Sequence, residues 1–78
     1  MVERRNVETP YANCDIAVVT ERLETGWGVA VRVKHRVGDA ERIIPVELPD
    51  RRFGTEEEAR AHGIEAGRQW IDANAPSR

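Results

Sequence analysis

Three groups of residues in this 78-residue chain have types and spacings that could do chemistry: Cys14 with His35, Glu58 with His62, and Arg32, Lys34 and Arg36. A thiol beside an imidazole can become a thiolate nucleophile or supply two metal ligands. Cys14 is the single cysteine, and His35 and His62 are the two histidines. Two ligands do not close a metal site, so the expected meaning is a half-buried thiol beside an edge histidine. Glu58 and His62 are four residues apart, a spacing that brings side chains together on a helix. A local surface interaction is expected there. Arg32, Lys34 and Arg36 recur at every second position, which in a strand places three cations on one face. Such a stripe could contact phosphates, with the sheet laid against nucleic acid. Acids interleaved with it would instead make it a solvated face with cross-strand ion pairs.

Catalysis has little to stand on. The only serine is Ser77, close to the end of the chain. The histidines have no evident nucleophile–base–orienter arrangement. There is no Gly-rich phosphate loop, and Gly63 and Gly67 fall inside a helical pattern. A chain this short has little room for a ligand pocket of about 300 Å³ or more. The expectation is a protein that is not an enzyme, with no cofactor and no metal.

Charge and composition narrow the class further. Twelve Lys and Arg against fourteen Asp and Glu leave a net charge of −2, which argues against a generic polyanion binder. Apolar residues at 40% and charged residues at 33% suit a small globular domain. No apolar run approaches the roughly 20 residues that span a bilayer. The stretch MVERRNVETP lacks the apolar core of a signal peptide. With a single cysteine, these features lead to the expectation of a cytoplasmic protein that makes no membrane contact.

These residues are positioned by three strand-like runs and one helix. Strand 1 is expected over about Cys14 to Arg22, strand 2 over Trp27 to Val37, and strand 3 over Ala40 to Leu48. In strand 2, Trp27, Val29, Val31 and Val33 alternate with Gly28, Ala30, Arg32 and Lys34. Gly38-Asp39 is a type II′ hairpin signal. A two-residue turn there opposes Val33 to Ile44, Val31 to Val46 and Val29 to Leu48, so apolar residues meet across the hairpin. A turn at Glu24-Thr25 opposes Ile16 to Val33, Val18 to Val31, Thr20 to Val29, and Cys14 to His35. Pro45 cannot donate to a ladder, which makes strand 3 an edge.

The helix starts at Thr55-Glu56-Glu57-Glu58, a capping box with acids at the positive end of the helix dipole. It is expected over about residues 56 to 73, packed through Ala59, Gly63, Ala66 and Trp70. The expected fold is therefore α+β: a three-stranded antiparallel meander, order 1-2-3, under one C-terminal helix. Residues 1–12 read as a polar N-terminal arm, 13–74 as the single β-β-β-α domain, and 75–78 as a disordered tail.

The stretch Arg52-Phe53-Gly54-Thr55-Glu56-Glu57-Glu58-Ala59, followed by Ala66 and Trp70-Ile71-Asp72, resembles small bacterial proteins of unassigned function. Those proteins carry an F-x-[ST]-x-x-E-A helix start after a β-meander. The resemblance implies a fold and says little about activity. The β-β-β-α order also resembles plant AP2-type domains and the arm-binding domains of tyrosine integrases. These families lay the helix-free sheet face into the DNA major groove. Carried over by position, that resemblance implies a nucleic-acid role for Arg32, Lys34 and Arg36, while Trp27 falls on the opposite, inner face.

On the helix-free face, Val19, Ala30 and Ile43 sit among the charges, with Ala17 and Pro45. Such a mixed patch can be a surface for another protein or for a second copy of the chain. The expected function is a non-catalytic interaction module, with a homodimer as one form of it and no other partner identified. The alternative is a nucleic-acid-binding domain that uses the same face.

Overall fold

The structure is a computed structural model that describes residues 3–49 and 51–74; the expected tail at 75–78 lies outside the described residues. Four strands precede one helix: β1 (Arg4–Tyr11), β2 (Cys14–Leu23), β3 (Gly26–Val37), β4 (Ala40–Val46) and α1 (Glu56–Asn74). The strands form one antiparallel sheet in the order β1-β2-β3-β4.

The three-stranded meander expected from the sequence is thus corrected to four strands, and β2 and β3 are both internal. The added strand lies in the stretch read as a polar arm. Its apolar content is low, yet Val7 and Thr9 pair with Val18 and Ile16, and Tyr11 with Cys14. These inward positions are half-buried, while the alternating Arg4, Asn6, Glu8 and Pro10 are exposed. An edge strand tolerates that composition, including a proline. The turn that folds β1 back is Ala12-Asn13, both with positive φ (52° and 67°), the two-residue type I′ geometry.

The other two hairpins follow the expected registers. β2 and β3 pair Ile16 with Val33, Val18 with Val31 and Thr20 with Val29. β3 and β4 pair Val33 with Ile44 and Val31 with Val46. Gly38 has a φ of 61° while Asp39 does not share the left-handed region, as a type II′ turn requires. The last ladder pair is Val31 with Val46, so Leu48 does not extend the strand as expected. The chain leaves the sheet and returns at Phe53, which exchanges two backbone hydrogen bonds with Trp27.

The helix lies across β2 and β3. Thr55 Oγ1 accepts from Glu58 N–H at 3.1 Å, and Glu58 Oε1 accepts from Gly54 N–H at 3.2 Å, closing the cap. The buried helix residues are Ala59, Gly63, Gly67 and Ile71, against Ile16, Val18, Val31 and Val33. Ala66 and Trp70, expected in the packing face, are only half-buried; the contact stripe is rotated toward Gly67 and Ile71. The reason is proximity: a Cβ on Gly67 would stand 2.5 Å from Ile16 Cγ2, and one on Gly63 2.8 Å from Val29 Cγ2. Two glycines let the helix axis settle directly over β2 and β3. Thr20, 1% exposed among these apolar residues, donates to Glu56 Oε2 at 3.0 Å, and Arg60 pairs with the same carboxylate. A buried hydroxyl is thereby satisfied without water.

Candidate functional site

α1 covers one face of the sheet and leaves the other open. Directly paired residues share a face, so the register maps the open side row by row. Arg4 lies beside Glu21 and then Gly28; Asn6 beside Val19 and Ala30. Next come Glu8, Ala17, Arg32 and Pro45 in one row, and Pro10, Asp15, Lys34 and Ile43 in another. Arg36 pairs with Glu41 beyond them.

On the two inner strands the charges of this face are sorted by sign. β2 presents Asp15 and Glu21, and β3 presents Arg32, Lys34 and Arg36. Lys34 does not bond to Asp15, its register partner. It reaches diagonally past the small Ala17 to an ion pair with Glu8 of β1. The hydrogen bond to Glu8, and then the negative charge of that carboxylate, raise the Lys34 ammonium above its ordinary pKa. Arg4 and Glu21 approach to 3.5 Å at the far end. Arg32, Arg36, Asp15 and Glu41 form no ion pair among the described residues. The cationic triplet expected from the sequence is therefore on the open face, with one member neutralised internally by a strand that the sequence reading left out.

Apolar side chains run between the charges. Ile43 is 55% exposed, the large hydrophobic residue that stands furthest into solvent among those described. Ala30 is exposed and Val19 half-buried. Toward the β2–β3 turn the face deepens into a groove of about 420 Å³, lined by Val19, Leu23, Gly28, Ala30 and Leu48 among others. Val19, Ala30 and Ile43, the expected interaction residues, thus share one face, with Val19 beside Ala30 and Ile43 two rows away next to Lys34.

The structure treats the other two pairs differently: Cys14 and His35 line one open concavity of about 770 Å³ with Tyr11, Asp15 and Arg36, whereas Glu58 and His62 part. Cys14 and His35 are register partners, but no hydrogen bond joins them among the described residues. Desolvation, and then the Asp15 charge, push the Cys14 thiol up rather than down, away from thiolate character. Glu58 does not meet His62. Its carboxylate turns back to cap the helix, and the imidazole packs against Phe53 at a centroid separation of 5.0 Å. Among the described residues no three His, Cys, Asp or Glu side chains gather as a metal site, and no helix is long and apolar enough to cross a membrane.

What the sequence reading missed is the contribution of β1 to the open face: Arg4, Asn6, Glu8 and Pro10. The alternation of Val7, Thr9 and Tyr11 with those polar residues was the available signal.

A family model described as a domain of unknown function, DUF6566, matches residues 4–78. No curated protein and no solved structure matches the chain.

Proposed function

The chain belongs to the DUF6566 family, and on that footing we propose that it is a non-catalytic interaction module that works through its helix-free sheet face, with a second copy of the chain as the occupant. The observation that supports this reading is the face itself: a four-stranded sheet with one helix on one side and Ile43 at 55% exposure on the other. Small apolar residues at the centre, Ala17, Val19 and Ala30, are framed by charges of both signs. Protein–protein interfaces have that anatomy, an apolar interior within a polar rim. A self-complementary patch of this kind favours a two-fold dimer.

A second reading, nucleic-acid binding through Arg32, Lys34 and Arg36, draws on the two arginines that lack an ion pair among the described residues. It is weakened by the Lys34–Glu8 pair and by the nearby Asp15, Glu21 and Glu41. The net charge of −2 points the same way.

Sedimentation of the purified chain, alone and with mixed short DNA and RNA at two salt concentrations, separates the two. The dimer reading expects concentration-dependent self-association that Ile43→Asp abolishes without loss of the fold. A strictly monomeric protein at millimolar concentration overturns it. Submicromolar, salt-dependent co-migration with nucleic acid would put the second reading in its place.

A further inference from the structure

The sorting of charge between β2 and β3 on the open face carries more than the existence of an interface. Two copies that meet face to face through this surface are related by a two-fold axis in the plane between the sheets, and two directions suit the strands. If the axis runs across the strands, each strand lies over its own copy. Asp15 and Glu21 of β2 would then face the same acids, and Arg32, Lys34 and Arg36 would face the same cations. If the axis runs along the strands, between β2 and β3, each β2 lies over the partner's β3. Asp15 of one copy then meets the β3 cations of the other, twice over, while Glu21 lies over Gly28.

We infer that the chain forms a two-fold sheet-on-sheet dimer with the axis parallel to the strands, so that β2 of each copy lies over β3 of the other. The inference rests on the proposed use of the open face for self-association. In this arrangement Asp15 stands over Lys34 of the second copy, with Arg32 and Arg36 diagonally adjacent. Asp15, Arg32 and Arg36, like Glu41, form no ion pair among the described residues. Val19 lies over Ala30 of the second copy, and Pro10 of β1 over Ile43 of β4, so apolar residues also meet apolar residues. Glu21, which pairs with Arg4 of its own chain, lies over Gly28, whose open side is filled by Leu23. Aligned packing of two sheets, at about 30° between strand directions, preserves this strand-over-strand matching near the axis. Four strands at about 4.8 Å spacing, and about seven residues at 3.3 Å rise, make a face of roughly 19 by 23 Å. At about 440 Å² per copy and about 870 Å² for the pair, that is the size of a weak, transient contact, in which charge matching selects the orientation.

The test uses two full-length variants, Arg32→Glu and Asp15→Lys, alone and mixed. Arg32 makes no ion pair among the described residues, so its reversal leaves the monomer's described pairs intact; cooperative melting checks both folds. Each variant alone places like charges across the axis twice and should weaken the homodimer by about tenfold or more. Mixed in equal amounts, they restore opposite charges between positions 15 and 32 on both sides of the axis, against one remaining repulsion between the lysine at position 15 and Lys34. Heterodimers should therefore exceed the random share several-fold, read by native mass spectrometry or by sedimentation of one labelled variant. Raised salt should erase the preference. A dimer that mixes at random overturns this orientation and leaves the open-face dimer standing. Tighter self-association of Arg32→Glu overturns it in favour of the axis across the strands. Monomers throughout, wild type included, remove the dimer itself. Should either reversal fail to melt cooperatively, Arg32→Gln and Asp15→Asn replace them. Each should weaken the homodimer several-fold, and an unchanged dissociation constant for both contradicts the arrangement.

Discussion

Tyr11 Oη donates a hydrogen bond to Asp72 Oδ1 at 2.8 Å, tying the last residue of β1 to the final turns of α1 across 61 residues of sequence. The Arg68 guanidinium lies 5.4 Å from the centroid of the same ring. Among the described residues, the side-chain hydrogen bond that ties this edge strand to the helix layer runs through the Tyr11 phenol. The hydrogen bond to Asp72, then desolvation, then the carboxylate charge raise the Tyr11 phenol above its ordinary value of 10.0. The folded value exceeds the unfolded one. Its contribution to stability is therefore complete below pH 10 and is lost as pH rises through the folded value.

Tyr11 is the only tyrosine, so ultraviolet titration reads it without overlap. Asp72→Asn should bring the titration midpoint down toward 10. An unchanged midpoint would mean that the bond does not persist in solution.

The close seat of the helix gives a second prediction. Gly67→Ala gains about 1 kcal/mol in helix propensity, but its methyl would stand 2.5 Å from Ile16 Cγ2, within the core. Overpacking of that kind costs about 1–3 kcal/mol, so a net loss of about 1 kcal/mol is expected. Gly54→Ala, whose nearest neighbour would be Glu58 Oε1 at 3.5 Å, should change stability by less than about 0.5 kcal/mol. Urea denaturation of the pair checks this, and equal midpoints would argue against the close approach.

At the β1–β2 turn, Ala12 occupies the left-handed region at φ 52°, a conformation that costs a residue with a Cβ about 1–2 kcal/mol. Replacing Ala12-Asn13 by Asn-Gly supplies the residues a type I′ turn favours. The double variant should be more stable by about 1 kcal/mol. A lowered thermal midpoint would show that β1 reverses by another route.

Thr55→Ala removes the acceptor of the Glu58 N–H bond and should cost about 1 kcal/mol. The denaturant slope should not change, because the same surface is exposed on unfolding. An unaltered midpoint would place the start of the helix elsewhere.

Hairpin registers and the helix start were readable from the sequence because they depend on local rules. Gly38-Asp39 fixes a turn, and the turn fixes every pair from Val37–Ala40 to Val31–Val46. The first strand was not readable in the same way. Arg4, Arg5, Asn6 and Glu8 give it a disordered composition, and Ala12 is a poor advertisement for a positive-φ turn. Its pairing is secured by β2 and by the distant Asp72. Lys34 shows the consequence at the surface: opposite-charge register predicts Asp15 as its neighbour, whereas its long side chain bonds to Glu8 on a strand that had not been assigned. The rotation of the helix stripe from Trp70 to Ile71 was hidden for a similar reason. Helical periodicity allows either, and the depth of contact at Gly67 decides between them.

Every strand pairs with its neighbour in sequence, so the sheet closes only short loops as it forms, at small entropic cost. The helix is different, because it follows all four strands along the chain. During vectorial synthesis the hairpins can zip up as they emerge, but Ile16, Val18, Val31 and Val33 face water until α1 arrives. The nascent sheet is then bare on both sides, and a neighbouring nascent chain can stack on either. When α1 does arrive, Gly63 and Gly67 let it seat close against Ile16, Val18 and Val29, and that face is then closed to a neighbour.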